Sequence, residues 1–352
     1  MSKYPPEDTG DDAGAPNPII NAMSNAVAAI RADSEQLELA AAHESLGPKA
    51  IEKLGVEEAR RQPTVKDAVN ALLQKQGRST DPAVLVPGIA HFDATVGGAT
   101  GPLPACIYTP SGTGPFPVVV FFHGGGWVIA DKHVYDGGAR GIASHADAIV
   151  VSVDYRQAPE HKFPAAWDDA LAASRWVLEN AASFNGDPRR VALAGESAGG
   201  NLAVATAIAA RDAGIQPPSH VLAVYPVAQT SLNTESYLET AIAKPLNRAM
   251  VGWFVEKLIN SEEDLKDPRL SLIDARLEGL APVTIINARL DPLRSDGSKL
   301  EDALRSAGVP VERKSYEGVA HEFFGAAAVL QKARDAQAFA GERLKQAFGV
   351  YD

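Results

Sequence analysis

From about residue 85 onward the chain alternates short apolar runs with helix-patterned stretches, and this alternation restricts its fold more than any other feature. Strand candidates fall at 91–96, 104–108, 117–122, 148–153, 190–194, 220–225, 282–287 and 310–314. The runs 118–122 and 149–151 are apolar at every position, so both faces of those strands must be covered, as in the middle of a parallel sheet. Helical patterns fill 134–145, 165–180, 198–212, 297–307 and 326–348. The expectation is an α/β protein: a mostly parallel eight-stranded sheet, doubly wound and flanked by helices, with chemistry at the carboxyl ends of the strands.

Two regions fall outside that rhythm. Residues 1–18 hold Pro5, Pro6, Pro16 and Pro18 among glycines and acids, which predicts a disordered tail. Residues 19–85 turn helical: Ile19, Met23, Val27 and Ile30 recur at three- and four-residue steps, as do Val65, Val69, Leu72 and Leu73. Between 227 and 267 there is no strand pattern, but Met250, Trp253, Phe254 and Leu258 make one apolar helical face. The expected organisation is a helical cap from 19–85 plus 227–267, over a catalytic domain of 86–226 plus 268–352. The competing reading of the second segment is a crossover helix with a long loop.

Composition narrows the function classes. A net charge of -11 argues against a nucleic-acid partner, because phosphate binding needs clustered Lys and Arg. A single cysteine, Cys106, excludes an intrachain disulfide and multi-cysteine metal motifs, and its strand-like setting predicts plain packing. The first residues lack the apolar core of a secretory signal, and no apolar run is long enough to span a bilayer, so a cytoplasmic location without membrane attachment is expected.

The chemistry starts at Gly195-Glu-Ser197-Ala-Gly199, set between an apolar run and an alanine-rich helical pattern. This is the nucleophile-elbow spacing: the serine must occupy a strained turn, and glycines let neighbouring chain approach it. The helix that follows aims amide N–H groups at developing negative charge. Ser197 is the expected nucleophile. Glu196, its neighbour in a tight turn, is expected to point elsewhere and to serve a supporting role.

A second glycine cluster, His123-Gly-Gly-Gly126-Trp, follows the 117–122 run. Three glycines at the end of a buried strand cost folding entropy, and they free backbone N–H groups to meet a substrate oxygen. Gly125 and Gly126 are the expected donors, joined by the N–H of Ala198. A phosphate loop is disfavoured because no Lys-Ser/Thr follows and the G-x-G-x-x-G spacing is absent. His123 is expected to order this loop by hydrogen bonding.

A serine hydroxyl needs a neutral imidazole as base and a carboxylate to set the imidazole's tautomer. Chains with this elbow present the three in the order Ser, Asp or Glu, His. Of eight histidines only His220 and His321 follow Ser197. His220 opens a strand at its amino end, the wrong end for chemistry, which leaves His321 in a loop after the last strand. Asp291, at the end of the 282–287 run and followed by Pro292, is the expected acid, with Asp296 as the fallback. Glu322 is expected to be a solvated loop charge.

Taken together, His123-Gly-Gly-Gly126-Trp, the stretch from Val153-Asp-Tyr-Arg to Pro164-Ala165, Gly195-Glu-Ser-Ala-Gly-Gly200, Asp267-Pro-Arg, Asp291-Pro-Leu-Arg and His321-Glu-Phe resemble the hormone-sensitive-lipase family of esterases, the bacterial family IV lipolytic enzymes. The resemblance runs from about residue 118 to 324. It implies the α/β-hydrolase fold, a two-part helical cap, the triad Ser197, Asp291 and His321, and a serine carboxylesterase that uses neither cofactor nor metal. Three positions depart from the family pattern: Glu196 where Asp is frequent, Glu322 where Gly is common, and Ser295 where an acid often follows the arginine. The Asp154-Tyr155-Arg156 stretch is expected to be scaffolding near the site.

The expected reaction is hydrolysis of a small-molecule ester of short to medium acyl chain through an acyl-enzyme. An amidase or deacetylase with the same triad is the first alternative. A non-catalytic small-molecule receptor on this fold is the second, and retention of all three triad residues argues against it. The resemblance also allows a homodimer.

Overall fold

The computed structural model describes residues 31–240 and 243–350. The expected tail at 1–18 and the helical pattern at 19–30 lie outside the described residues.

Eight strands form one sheet in the order β1-β2-β4-β3-β5-β6-β7-β8. They are β1 Ile89–Gly97, β2 Pro102–Pro110, β3 Phe116–Phe122, β4 Ile149–Val153, β5 Gly186–Glu196, β6 Val221–Val224, β7 Val283–Leu290 and β8 Val311–Ala320. β2 runs antiparallel to β1 and β4, while β3 through β8 pair in parallel. Eight main helices are numbered here: α1 Ser34–Ser45, α2 Val65–Lys75, α3 Asp136–Ala146, α4 Ala165–Asn180, α5 Ala198–Asp212, α6 Arg248–Leu258, α7 Arg294–Ser306 and α8 Gln331–Phe348.

The period of two along β3 divides the core between the two faces of the sheet. Val118, Val120 and Phe122 point to one side, where they join Trp167, Ala170 and Val177 of α4, Leu202 of α5 and Leu300 of α7. Val119 and Phe121 point to the other, where Ile142 of α3 and Ala336, Ala340 and Leu344 of α8 cover them. A strand sealed on both sides has no use for alternating polar residues, which is why its sequence is apolar throughout.

Helix ends follow local chemistry. Thr64 and Asp67 form a reciprocal capping box at the start of α2, and the Asn247 side chain accepts from the Met250 N–H at the start of α6. The expected 326–348 helix is corrected: a 3-10 turn, Phe323–Ala326, comes first and α8 begins at Gln331. Several strands are longer than their apolar runs, most of all β5, which starts at Gly186, and β8, which reaches Ala320.

Among the described residues no strand occurs between β6 and β7, and α6 from this interval contacts the turn Ile51–Lys53. Elsewhere in the amino-terminal region, α1 touches β8 and α2 touches the Phe323–Ala326 turn. No described helix is long and apolar enough to cross a membrane.

Candidate active site

The elbow at Ser197 is built by close packing of backbone. β5 ends at Glu196, and Ser197 has φ 59° and ψ -118°, a conformation that few non-glycine residues adopt. Its N–H donates to the Val224 carbonyl at 2.8 Å, which ties the turn to β6. The flanking glycines have no spare room: a Cβ on Gly199 would lie 1.9 Å from the Phe122 oxygen, and one on Gly195 would lie 2.1 Å from the Gly199 oxygen. The G-x-S-x-G spacing is therefore a steric requirement of this turn.

Three strand ends converge on the hydroxyl. His321, directly after β8, places Nε2 3.0 Å from Ser197 Oγ, and its Nδ1 lies 2.8 Å from Asp291 Oδ2. Asp291 follows β7, is fully buried, and accepts the Leu293 N–H on its other oxygen at 2.8 Å. With Nδ1–H donating to Asp291, Nε2 presents a lone pair to the serine O–H. Burial pushes the His321 pKa down, but the charge and hydrogen bond of Asp291 and the charge of Glu322 outweigh it, and the net shift is upward from 6.5.

Asp296, the fallback acid, is not brought to the imidazole. Its oxygens accept from the Ala228 N–H at 3.0 Å and from Gln229 Nε2 at 2.9 Å. Burial drives its pKa up to about 7 against those hydrogen bonds, with the Asp291 charge adding to the rise. His220 is buried against Thr284 Oγ1 at 2.9 Å, away from the elbow's end of the sheet.

The glycine loop after β3 turns back on itself. Gly125 and Gly126 have φ of 96° and 60°, and the Gly125 carbonyl accepts from the Val128 and Ile129 N–H groups at 3.0 and 2.9 Å. The N–H groups of Gly125, Gly126 and Ala198 have no acceptor among the described residues, and Ala198 opens α5. His123 keeps to ordering: its Nδ1 bonds the Gly124 oxygen at 2.7 Å, and its ring stacks on Tyr155 at 4.4 Å. Tyr155 in turn donates to the His123 carbonyl at 2.8 Å, while Arg156 grips Asp169 with two nitrogens.

An apolar cleft enclosing about 570 Å³, part of it open to solvent, reaches Ser197. Gly126, Val251, Phe254, Leu258 and Leu293 are among its walls. Three of these belong to α6, the helix whose apolar face was evident in the sequence.

The expectation for Glu322 is corrected. It is half-buried, and its Oε1 accepts from the Tyr135 hydroxyl at 2.8 Å, so it is not a solvated loop charge. Sequence reasoning also missed Tyr225, whose ring lies 4.5 Å from that of His321 and whose hydroxyl donates to the buried Glu196. The available signal was a tyrosine closing the apolar β6 run. Tyr135, in the turn before α3, carried none.

Comparison with known proteins agrees with this fold. Residues 119–325 match the model of a family described as having the alpha/beta hydrolase fold. The chain is 40% identical over 291 residues to carboxylesterase NlhH of Mycobacterium tuberculosis, an alignment covering 81% of this chain and 91% of that protein. An arylesterase of Saccharolobus solfataricus is 35% identical over 234 residues, 63% of this chain and 73% of its own length. Among solved structures, an esterase of Pyrobaculum calidifontis superposes with a TM-score of 0.78 at 33% identity, covering 88% of this chain and 98% of that one.

Proposed function

The chain belongs to the α/β-hydrolase family whose model spans residues 119–325, and from that premise we propose that it is a serine carboxylesterase with Ser197 as nucleophile, His321 as general base and acid, and Asp291 as the orienting carboxylate. The observation that carries this reading is the unbroken hydrogen-bonded chain from Ser197 Oγ through His321 to Asp291, with spans of 3.0 and 2.8 Å.

In the first half-reaction the Ser197 proton moves to His321 Nε2 as Oγ attacks the ester carbonyl. The oxyanion that forms is met by the N–H groups of Gly125, Gly126 and Ala198, which are already held in place and need no reorganisation. His321 gives its proton to the departing alcohol, leaving an acyl-enzyme. Water then attacks the acyl carbon, losing its proton to the same nitrogen, and Ser197 regains a proton as the acid leaves.

The substrate we propose is an ester of short to medium acyl chain, because the cleft at Ser197 is apolar and bounded by α6. We assign α6 and the amino-terminal helical region to a cap over the strand ends; the contact between α6 and Ile51–Lys53 supports this division. A cytoplasmic location fits a chain with one buried cysteine and no disulfide. A homodimer would give β8, an edge strand of the sheet, a partner.

A rate series on p-nitrophenyl esters from acetate to palmitate tests the proposal, with a fluorophosphonate label to identify the nucleophile. Expected are labelling at Ser197 and rates that peak at short or medium chains. Full esterolysis by a Ser197→Ala protein would overturn the triad assignment, and preference for matched anilides over esters would favour an amidase.

A further inference from the structure

Beside the triad, at residues that do not line the cleft, the structure joins two loops that the reaction uses but does not itself link. Tyr135 precedes α3 and is buried. Its hydroxyl donates to Glu322, the residue after His321, at 2.8 Å, and it presses on the glycine loop so closely that a Cβ on Gly124 would lie 2.3 Å from it. Glu322 itself has φ 64°, so the loop carrying the imidazole makes a left-handed turn exactly where a glycine would cost nothing. The start of α3 supports the same junction: a Cβ on Gly137 would lie 2.2 Å from the Gly325 oxygen, and one on Gly138 would lie 1.9 Å from Glu196 Oε1.

We infer that Glu322, held by Tyr135, is a positioning residue that acts through His321, seating its loop and keeping a second negative charge beside the imidazole. This rests on His321 being the general base. Its physical basis is that a carboxylate in a strained left-handed turn, half-buried, is anchored there by a phenol 187 residues away in the chain.

The surrounding groups leave Glu322 and Asp291 as the charges that act on the imidazole. Ser197 faces Nε2, Asp291 faces Nδ1, and the Tyr225 ring packs beside them. Glu196 also faces this junction, bonded to Tyr225, but burial raises its pKa to about 8, so it is mostly neutral well below that pH. Charges on the elements packed around the loop are engaged elsewhere: Lys66 on the His133 carbonyl, Asp136 with Arg140, Asp33 with Lys332, and Arg334 on the Ala327 carbonyl. The upward shift at His321, to which the Glu322 charge contributes, agrees with this arrangement.

The test compares Glu322→Gln, which keeps an acceptor for Tyr135 but removes the charge, with Glu322→Asp, which keeps the charge. The readouts are the acid limb of kcat/KM for a p-nitrophenyl ester and of the fluorophosphonate labelling rate, both followed well below pH 8, where Glu196 is mostly protonated. Expected for Glu322→Gln is a limb lower by about 0.5 pH unit. Glu322→Asp should return the limb toward the parent's. Tyr135→Phe should lower kcat about threefold or more with KM unchanged, because the loop loses its anchor. A limb for Glu322→Gln that coincides with the parent's overturns the inference, as does an unchanged kcat in Tyr135→Phe. Should Glu322→Gln fail to fold, the Tyr135→Phe readout decides alone. Absence of labelling at Ser197 in the parent protein would instead mark failure of the triad assignment.

Discussion

Phe254 of α6 lies directly on Gly126: a Cβ added at Gly126 would come 2.2 Å from the Phe254 Cγ and within 2.6 Å of both neighbouring ring carbons. A helix from outside the alternating β/α region thus rests on the loop that carries the proposed oxyanion donors. The packing needs a residue without a side chain at 126, and the backbone there, at φ 60°, needs one as well.

Gly126→Ala should therefore lose activity by displacing the loop. A misplaced oxyanion donor costs about 10²-fold in kcat. Steady-state kinetics on p-nitrophenyl butyrate would check this, and a kcat within a factor of about two of the parent would remove Gly126 from the proposed donors.

Phe254→Ala should open the cleft toward longer acyl chains. The ring is 5% exposed, so its loss costs about 3 kcal/mol of stability, read as a lower Tm. The ratio of kcat/KM for decanoate to that for butyrate should rise. An unchanged ratio with a lowered Tm would mean that Phe254 only packs.

Asp291→Asn should lower kcat by about 10⁴-fold, since an amide in that position favours the wrong imidazole tautomer. Asp296→Asn should cost far less, because its oxygens bind Ala228 and Gln229 and not the imidazole. Equal losses in the two variants would contradict the assignment of the acid.

Activity should fall toward acid with a midpoint above 6.5. The base must be neutral to accept the serine proton, and the His321 pKa is raised from 6.5, so the protonated, inactive form persists to higher pH than in a free histidine. A kcat/KM profile whose acid limb lies below 6.5 would contradict the geometry.

Glu196 should make stability decline as pH rises. Its folded pKa of about 8 lies above the 4.5 of an unhindered Glu, so the folded state binds the proton more tightly. That contribution is complete below the unfolded value and is lost as pH climbs through about 8. Glu196→Gln should flatten the fall in Tm between about pH 5.5 and about pH 8.5. Parallel curves for the two proteins would show that Glu196 ionises in the fold as readily as in the unfolded chain.

Much of this architecture was legible from local pattern. Strands apolar on both faces can only be central strands of a covered sheet, and the expected 165–180 and 198–212 helices coincide with α4 and α5. Ala165–Asn180 follows Pro164, and Ala198–Asp212 follows the elbow, so each start is marked by a residue with its own backbone demand. The expected 326–348 helix started too early because Ala326-Ala-Ala-Val-Leu330 is apolar with three alanines, yet Ala326, Val329 and Leu330 are claimed by the core and the chain turns there before α8 begins.

The triad candidates were legible for a different reason. Each stands at a strand's carboxyl end; chain order left two histidines, of which strand position kept His321, and two acids to choose between. Between Asp291 and Asp296 the sequence leaned on strand position, and the fold separates them by what their oxygens touch.

By itself, then, the chain determines its layers and the local turns at Ser197 and Gly125-Gly126, because burial periodicity and backbone sterics act over a few residues. Only the tertiary structure decides that Glu322 is a held carboxylate, that Tyr225 packs beside His321, and that Phe254 rests on Gly126. Those relationships join residues tens to hundreds of positions apart. Whether a loop charge meets water or a buried phenol depends on what the rest of the fold brings against it, which no local pattern records.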